Sequence, residues 1–223
     1  MMNICIFGDS IGKGIVLDTT SDKYMSVNFT SMEPLCQEEN VNLKNYSMFG
    51  CTATKGLSLI QRHTEKLQKD DVVLLEYGGN DCNFLWSEIA AAPEGRHQPN
   101  NPPEVFIDAY QKGIEAVQKS GARPVLLTLP PLHAKRFFDW ISKGIDKENI
   151  LRWLGSIDMI YRWQEMYSFT VSMIGKRLCI PVIDIRSAFV GRQDFSELIC
   201  EDGMHPTRKG YELILQTACA QLV

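Results

Sequence analysis

Hydrophobic residues occur along this 223-residue chain in two alternating patterns. Short apolar, β-rich runs predict strands at residues 3–7, 41–46, 72–76, 124–129 and 181–185. The third and fourth runs contain unbroken Val-Val-Leu-Leu and Val-Leu-Leu stretches, which are typical of parallel strands covered on both faces.

Between these runs, apolar residues recur at the spacing of amphipathic helices. One predicted helix covers residues 103–120, with Gly121 placed to cap it, and another covers about 211–222 at the end of the chain. Alternation of strands and helices predicts an α/β fold with right-handed crossovers. We expect a three-layer α/β/α sandwich with a five-stranded parallel sheet, flavodoxin-like in kind.

Two segments are longer than a minimal connection between a strand and a helix. We predict one domain over residues 1–223, with insertions at about 84–103 and 132–165. Helical spacing runs from Ile150 through Ile174, and all four tryptophans lie in the two insertions. Both insertions follow the carboxyl ends of central strands, where open α/β sheets bind ligands.

Composition and charge narrow the choice of partner and compartment. The net charge is −4, which argues against nucleic acid as a partner. No apolar run approaches the roughly 18 residues needed to span a membrane. The chain opens directly on a predicted strand and has an odd number of cysteines, seven. We therefore expect a cytoplasmic protein in a reducing compartment.

The first chemical motif is the segment GDSIGKG at residues 8–14, directly after the first strand. As G-x-S-x-G it resembles a nucleophile elbow, but that motif needs an earlier strand to supply an oxyanion loop. As a phosphate loop it is one residue short, and Asp9 would place a carboxylate in the anion site. Further interpretations are a glycine-rich turn with a capping residue, and a Gly-Asp-Ser block presenting Ser10 as nucleophile.

Three further blocks follow in order along the chain. They are NYSMFG at 45–50, GGND at 78–81 and DGMHP at 202–206, and the first two follow predicted strands. Together with Gly-Asp-Ser, these blocks resemble the SGNH (GDSL-type) hydrolases, a family named for a serine, a glycine, an asparagine and a histidine. The resemblance spans nearly the whole chain.

The chemistry of these residues indicates acyl transfer. A serine hydroxyl needs a base, and the base needs a group to orient it. Ser10, His205 and Asp202 are the candidates for these catalytic roles, and Pro206 is predicted to begin the following helix. The resemblance implies an oxyanion hole made by the backbone N–H groups of Ser10 and Gly50 and the side chain of Asn80.

The resulting prediction is a serine ester hydrolase that forms a Ser10 acyl-enzyme. The resemblance implies a small-molecule, lipid or carbohydrate acyl ester as substrate, and a cytoplasmic location favours small acyl esters or O-acetylated sugars. No cofactor is expected. The alternatives are an acyltransferase with the same triad and a non-catalytic, flavodoxin-like phosphate- or nucleotide-binding module.

Side chains near these blocks raise two further questions. Cys51, Cys82 and Cys200 lie beside the blocks in sequence, but their spacing matches no usual zinc pattern, so no metal is expected. Trp86 and Trp140 are candidates to wall an acyl or sugar pocket. Burial of the aromatic residues along one helix face is an equally good interpretation of the insertions.

Overall fold

The computed structural model describes residues 2–21, 23–27 and 41–222. The strands of this part of the chain are β1 (Met2–Gly8), β2 (Ile15–Asp18), β3 (Lys23–Ser26), β4 (Val41–Asn45), β5 (Val72–Glu76), β6 (Arg123–Leu127) and β7 (Val182–Ile183). The helices are α1 (Ala53–His63), α2 (Trp86–Ala91), α3 (Pro103–Lys119), α4 (Ala134–Ile141), α5 (Lys147–Leu154), α6 (Asp158–Leu178), α7 (Ile185–Val190), α8 (Phe195–Leu198) and α9 (Arg208–Leu222).

Five strands form one parallel sheet in the order β4-β1-β5-β6-β7. This is the 2-1-3-4-5 order of doubly wound flavodoxin-like folds, and it confirms the predicted fold class. The last strand is shorter than the predicted 181–185. It ends because the Asp184 side chain accepts a hydrogen bond from the Ser187 N–H and thereby caps α7.

The sheet is covered on both faces, as its apolar strands predicted. Val73 and Leu75 of β5 point into a core shared with α1, α3 and α6. Val72 and Leu74 of the same strand point into a second core shared with α7, α8 and α9. Residues of a strand alternate between faces, so an unbroken apolar strand supplies both cores.

The second predicted insertion contains the helices α4 and α5 and the start of α6. The helical pattern expected to continue from Ile150 is interrupted, because α5 ends at Gly155 with φ +71° and α6 starts at Asp158. A third apolar cluster, including Ile89, Phe137 and Ile150, joins the helices of the two insertions. These helices therefore pack on one another beside the sheet's carboxyl edge.

A small antiparallel hairpin of β2 and β3 follows the GDSIGKG segment at residues 8–14, and the hydrophobic pattern did not predict it. Gly14, with φ +78°, turns the chain into β2. No helix within the described ranges is long and apolar enough to cross a membrane.

The cysteines of the described ranges are in two states. Cys219 is disulfide-bonded, whereas Cys5, Cys51, Cys82, Cys179 and Cys200 are free.

Candidate active site

The four sequence blocks meet at the carboxyl edge of the sheet. Ser10 follows β1, Gly50 lies after β4, and Asn80 follows β5. Strands β4 and β5 flank β1 on opposite sides, so the chain winds away from β1 in both directions. Such a switch in strand order opens a crevice above the sheet.

A chain of hydrogen bonds links three of the predicted residues. The Ser10 Oγ lies 2.9 Å from Nε2 of His205, and Nδ1 of His205 lies 2.6 Å from Oδ2 of Asp202. All three residues are buried. The structure thus joins Ser10 to a histidine 195 positions later in the chain, with a carboxylate on the opposite side of the imidazole ring.

The loop that carries His205 is fixed by its own backbone. The second carboxylate oxygen of Asp202 accepts hydrogen bonds from the N–H groups of Met204 and His205, each at 3.0 Å. The N–H of Cys200 donates to the His205 carbonyl at 2.8 Å. The imidazole is therefore held by backbone geometry before any substrate arrives.

Pro206 does not begin the last helix, contrary to the prediction. It forms an isolated antiparallel bridge with Ile199, and α9 starts at Arg208. The Thr207 hydroxyl caps that helix by accepting a hydrogen bond from the Gly210 N–H. A threonine cap is a common helix start, so Pro206 instead closes the His205 loop.

Asp202 has the electrostatics of a charged partner for His205. Burial alone would raise its pKa, but the hydrogen bond and charge of His205, with two backbone N–H donors, hold the pKa below its usual range. The carboxylate therefore stays ionised and holds the imidazole ring through Nδ1.

The candidate oxyanion donors have free hydrogens. Among the described residues, the Ser10 and Gly50 N–H groups donate to no protein acceptor. The Asn80 amide gives one hydrogen to Oδ2 of Asp9 at 2.9 Å, which leaves its second for a ligand. Gly50 has φ +68°, and a Cβ there would meet open space. Glycine is required at this position by backbone conformation rather than by crowding.

A buried pair of carboxyl groups, Asp9 and Glu76, lies beneath Ser10. One Glu76 oxygen accepts hydrogen bonds from the N–H groups of Asp9 and Gly12, at 3.3 and 3.0 Å. Burial raises the pKa of both carboxyls, and the charge of Asp9 raises that of Glu76 further. Glu76 thus occupies backbone donors that a phosphate loop would turn toward its ligand.

Asp81, the last residue of the GGND block, joins the two loops that carry Gly50 and Asn80. Its carboxylate accepts hydrogen bonds from the Ala53 N–H at the start of α1 and from the Asn101 side chain. Burial, opposed by these hydrogen bonds, raises the pKa of Asp81 to about 6. Asp81 thereby fixes the spacing of the proposed oxyanion donors.

The three cysteines beside the blocks are buried thiols. Burial raises the pKa of both Cys51 and Cys200 to about 11, and it also raises that of Cys82. Within the described ranges, no three His, Cys, Asp or Glu side chains are grouped as metal ligands. High thiol pKa values are typical of inert, space-filling cysteines.

The structure separates the two candidate pocket tryptophans. Trp86 lines a cavity of about 370 Å³ between the insertion helices. Trp140 is not among the residues that line it. It lies beside Tyr24 of the hairpin, with 6.4 Å between ring centroids, and the Tyr24 ring is 5.0 Å from that of His205.

Sequence reasoning missed several residues of this site. Glu76 carried a signal, because it is a carboxylate at the end of an otherwise apolar strand. Tyr211, whose hydroxyl donates to the Ile15 carbonyl at 2.9 Å, appeared only as an apolar position of the last helix. Tyr24 lies in a hairpin that was not predicted.

A comparison with known protein families identifies the family of this chain. The model of the GDSL-like Lipase/Acylhydrolase family matches residues 6–213, so the match includes all four blocks. The resemblance that the blocks predicted is confirmed. No curated protein matches the sequence.

Solved structures share the fold at low sequence identity. A lipase/acylhydrolase from Enterococcus faecalis has 21% identity and a TM-score of 0.67, over 100% of this chain and 95% of that one. A lipolytic G-D-S-L family protein from Veillonella parvula has 18% identity and a TM-score of 0.65, over 100% and 98%. The lipase Lip_vut3 from a goat rumen metagenome has 19% identity and a TM-score of 0.64, over 99% and 97%.

Proposed function

The chain belongs to the GDSL-like lipase/acylhydrolase family and is a carboxylic ester hydrolase, and we propose that it cleaves small-molecule esters through a covalent acyl-enzyme on Ser10. The observation that carries this proposal is the hydrogen-bonded series Asp202–His205–Ser10, at 2.6 and 2.9 Å. It has the connectivity of a nucleophile, its base and the group that orients the base.

In the proposed first half-reaction, Ser10 Oγ attacks the ester carbonyl carbon while its proton passes to Nε2 of His205. The carbonyl oxygen becomes an oxyanion that accepts hydrogen bonds from the Ser10 and Gly50 N–H groups and from Asn80. The carbon–oxygen bond to the alcohol then breaks, and His205 returns the proton to the departing oxygen. The acyl group remains esterified to Ser10.

In the second half-reaction, water attacks the acyl-serine carbonyl while His205 takes its proton. Collapse of this intermediate breaks the bond to Ser10 Oγ, which regains a proton from His205. The products are a carboxylic acid and the free enzyme. Asp202, held ionised by its contacts, stabilises the positive charge on His205 in both halves.

The test compares wild type with Ser10→Ala in hydrolysis of p-nitrophenyl acetate. We expect kcat to fall by roughly 10⁴-fold or more, because the variant lacks the nucleophile. An organophosphate ester should leave one covalent adduct on wild type, located at Ser10 by peptide mass spectrometry, and none on the variant. Ser58→Ala, on the exposed face of α1, is the matched control.

Equal activity of wild type and Ser10→Ala would refute the Ser10 mechanism. Acyl transfer to an added alcohol that outruns hydrolysis would instead favour the acyltransferase alternative. The phosphate-binding alternative has less support, because Glu76 already occupies the Asp9 and Gly12 N–H groups. A cytoplasmic location and O-acetylated sugar substrates stay predictions, tested by cell fractionation and by release of acetate from acetylated sugars.

A further inference from the structure

The cavity that contains Trp86 begins beside the reactive residues. Two of its lining residues are Gly79 and Met204, which directly precede Asn80 and His205 in the chain. From there the cavity extends between the insertion helices α2, α4, α5 and α6, toward Trp153 and Trp163. The cavity therefore lies next to the segments that carry Asn80 and His205.

Aromatic rings from both insertions form the walls of this cavity. Phe84 lies 5.0 Å from Trp153 and 5.7 Å from Trp163, measured between ring centroids. The indole N–H groups of Trp86 and Trp163 donate to the Asn83 side chain and to the Cys82 carbonyl. Because those polar atoms are already satisfied, the two indoles offer a ligand their carbon surfaces.

Among the described residues, the lining contains no charged side chain, and two of its polar side chains already have protein partners. None of the described lining residues is Asp, Glu, Lys or Arg. The buried Gln164 amide donates to the Pro130 carbonyl and accepts from Arg186, and His97 hydrogen-bonds to the Ala92 carbonyl. A charged ligand group would lose its water in this cavity without meeting a side chain of opposite charge.

The two sides of the active site differ in character. The rings of Tyr24 and Phe49 lie 5.0 and 6.0 Å from the His205 ring, where the departing alcohol oxygen must receive its proton. The cavity adjoins both the Asn80 segment, through Gly79, and the His205 segment, through Met204. If the alcohol part of an ester leaves past the rings of Tyr24 and Phe49, the apolar cavity is available to its acyl part.

We propose that this cavity binds the acyl group of the substrate and selects uncharged, apolar acyl groups of about six to ten carbons. The inference rests on the proposed Ser10 mechanism. A cavity of about 370 Å³ holds roughly 12 heavy atoms at about 30 Å³ each, the volume of a water molecule in the liquid. Acetyl groups leave most of it unfilled, whereas chains of 14 carbons exceed it.

The test measures kcat/KM for p-nitrophenyl esters from acetate to myristate, so that the leaving group stays constant. Each buried methylene is worth up to about fourfold, so we expect octanoate to exceed acetate by at least a hundredfold. Myristate should fall at least tenfold below octanoate. The charged glutarate monoester should react at least a hundredfold more slowly than the pentanoate ester of equal chain length.

A matched pair of variants on α6 tests whether the chain-length preference arises from the cavity. Met159 lines the cavity, whereas Met173 of the same helix is 47% exposed. Met159→Trp should fill the cavity and lower the octanoate-to-acetate ratio of kcat/KM at least tenfold. Met173→Trp should leave that ratio within twofold of wild type.

Failure of this inference is distinguishable from failure of the Ser10 mechanism. A flat chain-length series, or an unchanged ratio in Met159→Trp, overturns the acyl cavity while acetate hydrolysis still depends on Ser10. Acetate hydrolysis that persists in Ser10→Ala overturns the mechanism instead. Preference for acetylated sugars over octanoate esters would also refute the cavity's proposed ligand.

Discussion

At the scale of single residues, the candidate site depends on buried polar groups around the loop at residues 8–14. Glu76 is 1% exposed and binds two N–H groups of this loop through one oxygen. Asp9, which belongs to the loop, holds the Asn80 amide. Two adjacent buried carboxyl groups are unfavourable when both are ionised. A proton on Glu76 removes one of the two negative charges and so stabilises the pair.

This arrangement predicts different outcomes for two substitutions of Glu76. Glu76→Gln keeps an acceptor for the Asp9 and Gly12 N–H groups and resembles the protonated acid, so kcat should stay within about fivefold of wild type. Glu76→Ala leaves two buried N–H donors without an acceptor. This should lower the free energy of unfolding by about 1–3 kcal/mol for each donor. It should also lower kcat at least tenfold. Urea unfolding measures the effect on stability, and p-nitrophenyl acetate kinetics measure the effect on kcat. Equal values for the two variants would contradict the role of Glu76 as the acceptor for these N–H groups.

At the scale of elements, the start of α4 packs against the loop that carries His205. The His133 N–H donates to the Gly203 carbonyl at 2.9 Å. A Cβ on Gly203 would lie 2.2 Å from the backbone nitrogen of Phe137. The second insertion thus supports the histidine loop directly, in addition to forming the cavity.

Gly203→Ala tests this packing, with Gly155→Ala as the matched control. Both glycines have similar positive φ values, +73° and +71°, but a Cβ on Gly155 meets open space. Gly155→Ala should cost about 1 kcal/mol from backbone conformation alone. Gly203→Ala adds a clash with fixed backbone, so we expect a total near 3 kcal/mol and a loss of esterase activity. Equal unfolding free energies for the two variants would contradict close packing of α4 on the loop.

At the scale of the whole molecule, Asp81 connects segments that are distant in the chain. Its carboxylate is fully buried and meets the start of α1 and the Asn101 side chain before α3. Its raised pKa, about 6, means that the folded state binds a proton more tightly than the unfolded chain does. The contribution of Asp81 to stability is therefore largest at low pH and falls as pH rises from about 4 to about 6.

Asp81→Asn should remove that dependence on pH. Relative to wild type, the unfolding free energy of the variant should rise between pH 4 and pH 7 by on the order of 2–3 kcal/mol. Denaturant unfolding across this range measures the difference. Asp108→Asn, which removes an exposed carboxylate on α3, controls for loss of one charge. A constant difference across pH would contradict the proton linkage at Asp81.

The sequence by itself determined the sheet and the order of its chemical blocks. Unbroken apolar runs such as 72–75 require cover on both faces, and that local requirement is enough to identify buried parallel strands. The resemblance to SGNH hydrolases also identified Ser10, Gly50, Asn80, Asp202 and His205 as candidates. The structure joins Asp202, His205 and Ser10 by hydrogen bonds and holds Asn80 against Asp9, the neighbour of Ser10.

Only the tertiary structure decided which neighbours each side chain has. The pairing of Glu76 with Asp9 joins residues 67 positions apart, and no local periodicity encodes such a contact. Trp86 and Trp140 are equivalent as aromatic residues in insertions, yet helix packing places one in the cavity and the other beside Tyr24. Hydrophobic patterns record whether a residue is buried, whereas partners are chosen by long-range packing of the elements.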